Sequence, residues 1–233
     1  MSLLMGIVLP KGVLIVSDTR TVGASSLEIL SDMSKKITYI TKNVVLGGAG
    51  SETNWYTAQI LRDSLYNQSE KFTREQTLAQ ILGLYCSVNK IRKSIDPVGS
   101  ILVAEYDEAD NVFRLHCNDG LNNYTSFETL NEVKDIAIIG SNNKVRNHVK
   151  QLLKNEIDKC DPLILQQEKF YELLSLYCKK LYKVLRDETI GENLYCVYIT
   201  SIDNKAASAT YFIGKDDVLK NVDSTDDQRE IKI

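Results

Sequence analysis

Apolar residues follow two different periods along this chain, and each change of period predicts a new element. Residues 3–9 and 12–18 are almost continuously apolar and are joined at Pro10-Lys11-Gly12, a turn signal. Two shorter runs, 36–40 and 43–47, repeat this pattern. The chain therefore begins with two predicted β-hairpins.

The apolar residues then recur at helical spacing, and the alternation of strands and helices continues to the end of the chain. Ser51 is a candidate N-cap for a helix that runs to about Asn67, and Thr73 and Glu75 lie near the start of a second helix. Four predicted strands, two helices and two strands follow, over residues 100–106, 112–117, 123–127, 136–139, 143–153, 170–185, 194–200 and 207–213. Strands interleaved with helix pairs favour two stacked antiparallel sheets with a helical layer outside each. The predicted fold class is α+β, a four-layer αββα sandwich.

Composition indicates one domain. The 233 residues include only three prolines, and no Gly/Ser-rich linker or repeat interrupts the pattern. We expect a single domain over residues 1–233, in which residues 216–233 form an acidic C-terminal tail.

Charge and cysteine content narrow the classes of partner. The net charge is −3 with the two signs interspersed, so no basic stripe favours nucleic acid. The longest apolar runs are too short to span a bilayer, and the first residues lack the pattern of a signal peptide. The five cysteines are odd in number and widely spaced, which favours reduced thiols. We expect a soluble, cytoplasmic protein, also nuclear if it is eukaryotic, with no metal, no cofactor, no nucleic acid and no membrane partner.

The candidate chemistry lies at Ser2, sixteen positions before Asp18. An N-terminal serine can use its own α-amine as the base that activates its hydroxyl. The amine has an ordinary pKa of roughly 8, and a nearby cation lowers it. While Met1 is attached, the nitrogen of Ser2 is an amide and cannot accept a proton.

Three segments carry a family resemblance: KGVLIVSDTR, then KKITYI, then GGAG directly before a helix. Together they resemble the proteasome-type N-terminal nucleophile hydrolases over almost the whole chain. The resemblance implies that Ser2 is the nucleophile, Asp18 the strand-end acid and Lys36 the lysine that lowers the pKa of the amine. It also implies that the Gly50 N–H is the oxyanion donor. Ser141, in Gly140-Ser141, and Asp187 resemble later motifs of the family and are further candidate catalytic residues.

The chain departs from the family pattern at two points. The usual nucleophile is threonine, and Ile190 stands where the family has a serine in its final Asp-x-x-Ser-Gly motif. Two adjacent lysines, Lys35 and Lys36, could match the family lysine, and they would point to opposite faces of a strand. Lys36 lies fourteen positions before Gly50, and this spacing selects it.

Two functional hypotheses follow from the resemblance, and a third does not depend on proteolysis. The first is a beta-type subunit of a ring-shaped, self-compartmentalising peptidase, non-catalytic because Met1 is retained, as in non-catalytic eukaryotic beta subunits. In the second, which a bacterial proteasome-like homo-oligomer would favour, Met1 is removed and Ser2 is an active peptidase nucleophile. Both imply stacked rings with other proteasome-type subunits and unfolded protein or peptide substrates. The third is a binding module unrelated to proteolysis.

Overall fold

Two antiparallel β-sheets lie face to face at the centre of the structure. The structure is a computed structural model that describes residues 2–23, 26–92, 96–185, 187–223 and 228–233. Its strands are β1 (Leu3–Leu9), β2 (Gly12–Asp18), β3 (Thr21–Val22), β4 (Ile29–Ser31), β5 (Ile37–Tyr39), β6 (Val44–Gly50), β7 (Gly99–Asp107), β8 (Val112–Asn118), β9 (Glu128–Leu130), β10 (Ile136–Gly140), β11 (Leu194–Ile202), β12 (Lys205–Ile213) and β13 (Leu219–Asn221). One sheet has the order β10-β1-β2-β11-β12-β13 and the other β5-β6-β7-β8-β9, while β3 and β4 pair separately.

Helices cover the outer face of each sheet. They are α1 (Glu52–Leu65), α2 (Arg74–Arg92), α3 (Asn143–Lys159), α4 (Pro162–Leu165) and α5 (Phe170–Leu185), and a short 3₁₀ helix, Tyr66–Lys71, follows α1. Apolar residues of α1 and α2 pack on β6 and β7, whereas those of α3 and α5 pack on β1, β2 and β11. The predicted four-layer αββα sandwich of class α+β is therefore confirmed.

Strand β1 shows why the first apolar run is continuous rather than alternating. Successive side chains of a strand point to opposite faces. Leu3 and Met5 belong to the core beneath α3 and α5, whereas Leu4 and Val8 belong to the core between the sheets. Because both faces of this sheet are covered, every position of β1 is buried and apolar or glycine.

The two sheets approach closely at Gly6. A Cβ atom at Gly6 would lie 2.7 Å from Cδ1 of Leu115, which is fully buried in β8 of the facing sheet. The missing side chain in β1 therefore makes room for the leucine of the opposite sheet.

Several predicted boundaries differ from the structure. The strand predicted over 123–127 is wrong, because Asn123 and Tyr124 have φ values of 54° and 57° and form a turn. The strand lies instead at Glu128–Leu130. Ser51 does occupy the N-cap position of α1, but its hydroxyl donates to the carbonyl of Val98 rather than capping the helix. The helix predicted over 143–153 continues to Lys159.

Within the described ranges, no helix combines the length and the apolar character that crossing a bilayer requires.

The contact between the sheets can be tested by truncating Leu115. We expect Leu115→Ala to lower the free energy of unfolding by about 2–5 kcal/mol, because it leaves a cavity opposite Gly6. Chemical denaturation followed by circular dichroism measures the loss. Leu121→Ala is the matched control, since Leu121 is 80% exposed and its truncation should change stability by less than about 0.5 kcal/mol.

Candidate active site

Ser2 lies directly before β1, beside the end of β10, and lines the same pocket as the end of β6 in the other sheet. Its carbonyl accepts a hydrogen bond of 2.9 Å from the backbone N–H of Ser141, the residue after β10. A Cβ atom at Gly140 would lie 2.0 Å from that carbonyl oxygen, and Gly140 has a φ of +76°. Glycine is therefore required beside Ser2 for both space and backbone conformation.

Asp18 ends β2 and is fully buried. Its Oδ1 accepts a hydrogen bond of 3.0 Å from the N–H of Leu3. Its Oδ2 accepts from the N–H of Arg20 at 3.2 Å, from the N–H of Gly191 at 3.2 Å and from Nζ of Lys36 at 2.7 Å. Four donors from four segments of the chain therefore satisfy one buried carboxylate.

Lys36 lies directly before β5, and its side chain is 10% exposed. Burial lowers its pKa below the ordinary lysine value, and the neighbouring charges of Arg229 and Arg20 act in the same direction. The carboxylate of Asp18 opposes this by favouring the ammonium form. The structure thus brings Lys36 against the strand-end acid, as the count from Gly50 predicts, while the backbone N–H of Lys35 donates to the carbonyl of Arg229 at 2.7 Å.

Gly50 ends β6 immediately before helix α1. Its φ is +129°, and a Cβ atom there would lie 2.7 Å from Cα of Gly99 in β7. The amide of Asn54, in the first turn of α1, donates to the carbonyls of Ala49 at 3.1 Å and Ser100 at 3.2 Å. This buried side chain holds the end of β6, the start of β7 and the helix start in one arrangement around Gly50.

Ser141 follows Gly140 and has a φ of +45°. Its hydroxyl oxygen is buried and has no hydrogen-bond partner among the described residues. The backbone of this predicted site residue therefore holds Ser2, while its side chain is left with unused hydrogen-bonding capacity.

Asp187 begins the turn that precedes β11. Its Oδ1 accepts from the backbone N–H of Thr189 at 2.9 Å and from the Thr189 hydroxyl at 2.6 Å. Ile190 is 4% exposed and packs in the core beneath α3 and α5. The turn therefore brings the N–H of Gly191 to Asp18, and the polar contacts of Asp187 are within the turn itself.

Sequence reasoning missed three side chains that complete the surroundings of the site. The buried hydroxyl of Tyr182, in α5, donates to the carbonyl of Leu3 at 2.6 Å. Arg20 pairs with Asp32 at 2.6 Å, and Arg229 reaches the site from the end of the described chain. Arg20 ends the segment KGVLIVSDTR, but no local pattern marks Tyr182 or Arg229, because both reach the site through long-range contacts.

A pocket of about 510 Å³ lies beside Ser2 and is lined by Lys36, Gly50 and residues of α1. Apolar lining side chains include Trp55 and Ala58. The described residues contain no group of three or more His, Cys, Asp or Glu side chains that could hold a metal ion. The arrangement is an open cleft with a serine hydroxyl, a lysine of lowered pKa and a glycine-rich strand end at one side.

The Lys36–Asp18 pair generates a first testable prediction for the site. In Asp18→Asn we expect the pKa of Lys36 to fall further, because burial still disfavours the ammonium form and the carboxylate that favours it has been removed. NMR titration of the labelled lysine ε-carbon measures this pKa. Asp63→Asn, on the exposed face of α1, is the control and should leave it unchanged; a Lys36 pKa that rises in Asp18→Asn would contradict the assignment.

The same shift predicts how stability varies with pH. Folded Lys36 releases its proton below the ordinary value of 10.5, so unfolding takes up a proton in the window between the two pKa values. The contribution of Lys36 to stability therefore rises with pH across that window. Denaturation of wild type and Lys36→Met at a series of alkaline pH values should show this slope in the wild type and its loss in the variant.

The chain matches a protein-family model over most of its length. A protein-family model described as Proteasome subunit matches residues 2–165, which include Ser2, Asp18, Lys36, Gly50 and Ser141. No curated protein matched the chain. The matched region is more than two thirds of the chain and contains both hairpins and helices α1 to α3. The chain belongs to the proteasome subunit family and is a subunit of a ring-forming, proteasome-like peptidase complex that degrades protein.

Proposed function

We propose that this chain is a beta-type subunit whose Ser2 becomes a peptidase nucleophile when Met1 is removed. The observation that carries the proposal is the Lys36–Asp18 contact of 2.7 Å at the pocket that Ser2 lines. A lysine with a lowered pKa beside the chain start is the cation that an α-amine base needs. Met1 itself lies outside the described residues.

The proposed reaction uses Ser2 for both nucleophile and base. The hydroxyl oxygen attacks the carbonyl carbon of a peptide bond, and the free α-amine of Ser2 takes the hydroxyl proton. That proton passes to the leaving amine as the carbon–nitrogen bond breaks, which leaves an ester on Ser2. Water then attacks the ester, and the hydroxyl of Ser2 is restored.

Two groups near Ser2 would stabilise the charges that develop during the proposed reaction. The N–H of Gly50, directly before α1, is the proposed oxyanion donor, and Asn54 fixes the strand end that carries it. The hydroxyl of Ser141 is buried beside the segment that holds Ser2 and has no hydrogen-bond partner in the part of the chain that is described. We propose it as a partner for the Ser2 amine, which exists only after Met1 leaves.

A second candidate function is a subunit that completes the ring without catalysis. Ile190 favours it, because this buried apolar side chain stands where the family resemblance places a hydroxyl near the nucleophile. The neighbouring hydroxyl of Thr189 is already donated to Asp187 at 2.6 Å. A chain that keeps Met1 would have this role in any case, since the nitrogen of Ser2 would remain an amide.

The proposed function also indicates the substrates, the cellular location and the partners of the protein. We propose unfolded protein or peptides as substrates and the cytoplasm as location, with the nucleus added if the source is eukaryotic. The net charge of −3 supports partners other than nucleic acid or a membrane surface.

The test compares assembled particles that differ at Ser2. Protein lacking Met1, verified by intact mass, should hydrolyse fluorogenic peptides. Ser2→Ala should lower kcat/KM by at least about a thousandfold, because the nucleophile is lost. Ser2→Thr should keep measurable turnover, since it preserves both the hydroxyl and the amine.

The matched control keeps Ser2 and blocks its nitrogen with an uncleaved N-terminal extension, which should abolish turnover while the ring still assembles. Turnover that is equal in wild type and Ser2→Ala would contradict the peptidase proposal. If the intact mass of the protein from its native source still includes Met1, the non-catalytic role is the one that is supported.

A further inference from the structure

Residues 228–233 return to the Ser2 pocket and pair with the chain before β5. The N–H of Lys35 donates to the carbonyl of Arg229 at 2.7 Å, and the N–H of Ile231 donates to the carbonyl of Met33 at 2.8 Å. Ser34 and Glu230 form an antiparallel bridge between these bonds. The segment therefore lies as a short extra strand beside the residues that lead into Lys36.

A buried side chain and an ion pair hold this segment from two sides. Ile231 is 5% exposed and packs in the core between the two sheets. Arg229 forms an ion pair with Glu52 in the first turn of α1. Since Arg229, Glu230 and Glu52 all line the pocket, the segment forms part of its wall and is joined to the helix that forms another part.

Three of the cations that line the pocket have ion-pair partners. Arg20 pairs with Asp32 at 2.6 Å, Lys36 pairs with Asp18 at 2.7 Å, and Arg229 pairs with Glu52. Much of the remaining lining is apolar and comes from Leu27, Leu30, Trp55 and Ala58.

We propose that residues 229–231 are a specificity-determining wall of the Ser2 pocket, which limits the size of the substrate side chain that the pocket accepts, and that the Arg229–Glu52 pair holds this wall in place. The proposal rests on the proposed peptidase function of Ser2. The contact between Arg229 and Glu52 is partly exposed, with side chains 30% and 59% exposed, so its loss should cost the fold little. Ile231 would still anchor the segment. Because the charge of Arg229 also lowers the pKa of Lys36, the effect on the pocket is measured as a ratio between two substrates or two reagents.

The first measurement is the substrate preference of the assembled, Met1-free particle. Peptides that differ only in the residue before the cleaved bond, alanine or an aromatic residue, are compared in wild type and Arg229→Ala. The ratio of kcat/KM for the aromatic over the alanine peptide should rise at least about tenfold in Arg229→Ala, because the pocket widens. Ile233→Ala, an exposed position of the same segment, is the matched control and should leave the ratio unchanged.

The second measurement does not require catalysis. Ser2→Cys places a thiol at the pocket, and its rates of reaction with a small and a bulky maleimide are compared by mass mapping, which separates position 2 from the five native cysteines. Adding Arg229→Ala should raise the bulky-to-small rate ratio at least about tenfold.

The two measurements distinguish an error in the proposed wall from an error in the proposed peptidase activity. If Arg229→Ala changes the labelling ratio but the Met1-free wild type hydrolyses no peptide, the wall is supported and catalysis at Ser2 is rejected. An unchanged labelling ratio on adding Arg229→Ala would overturn the wall, whether or not the wild type hydrolyses peptides. Melting temperatures of the variants within a few degrees of wild type verify that the fold is retained.

Discussion

The carboxylate of Asp18 is the interaction on which the arrangement of this site depends. It is fully buried, so each of its oxygens needs donors, and these come from Leu3, Arg20, Lys36 and Gly191. The donors belong to the entrance of β1, the residues after β2, the approach to β5 and the turn before β11. A shift of any of these segments would remove a donor from a buried charge. The registers β1–β2 and β2–β11 and the position of Lys36 are therefore coupled through one side chain.

Burial of this pair also has a chemical consequence. The environment that forces Asp18 to collect donors lowers the pKa of Lys36, and the charges of Arg20 and Arg229 add to the effect. A cation held in this way beside the start of the chain favours the neutral form of a nearby amine. The contact between Asp18 and Lys36 thus satisfies a buried carboxylate at the strand ends and also places the cation that the proposed chemistry needs.

Local apolar pattern predicts the sandwich, whereas the candidate site residues are implied by the family resemblance of three short segments. Apolar runs predict the central strands, helical periodicity predicts the outer layers, and the count from Gly50 selects Lys36 rather than Lys35. The strand predicted at 123–127 is wrong because Tyr124 adopts a left-handed backbone, and its hydroxyl bonds to the backbone of Gly99, 25 residues away. The contact of Arg229 with Glu52 joins residues 177 positions apart, and no periodicity can indicate such a contact.

At Ile190 the chain keeps the turn that supports the site but lacks the hydroxyl that the family pattern has at this position. The turn that contains it still brings the N–H of Gly191 to Asp18, and Thr189 satisfies Asp187 within the turn. Ile190 itself contributes to the core beneath α5, so its buried side chain adds to the stability of the layer that supports β1. Relative to the family pattern, Ile190 therefore removes one hydroxyl near Ser2 and leaves the framework of the site intact. Since Ser141 keeps an unused buried hydroxyl in the segment that holds Ser2, the proposed chemistry would still have a hydroxyl partner for the Ser2 amine once Met1 is removed.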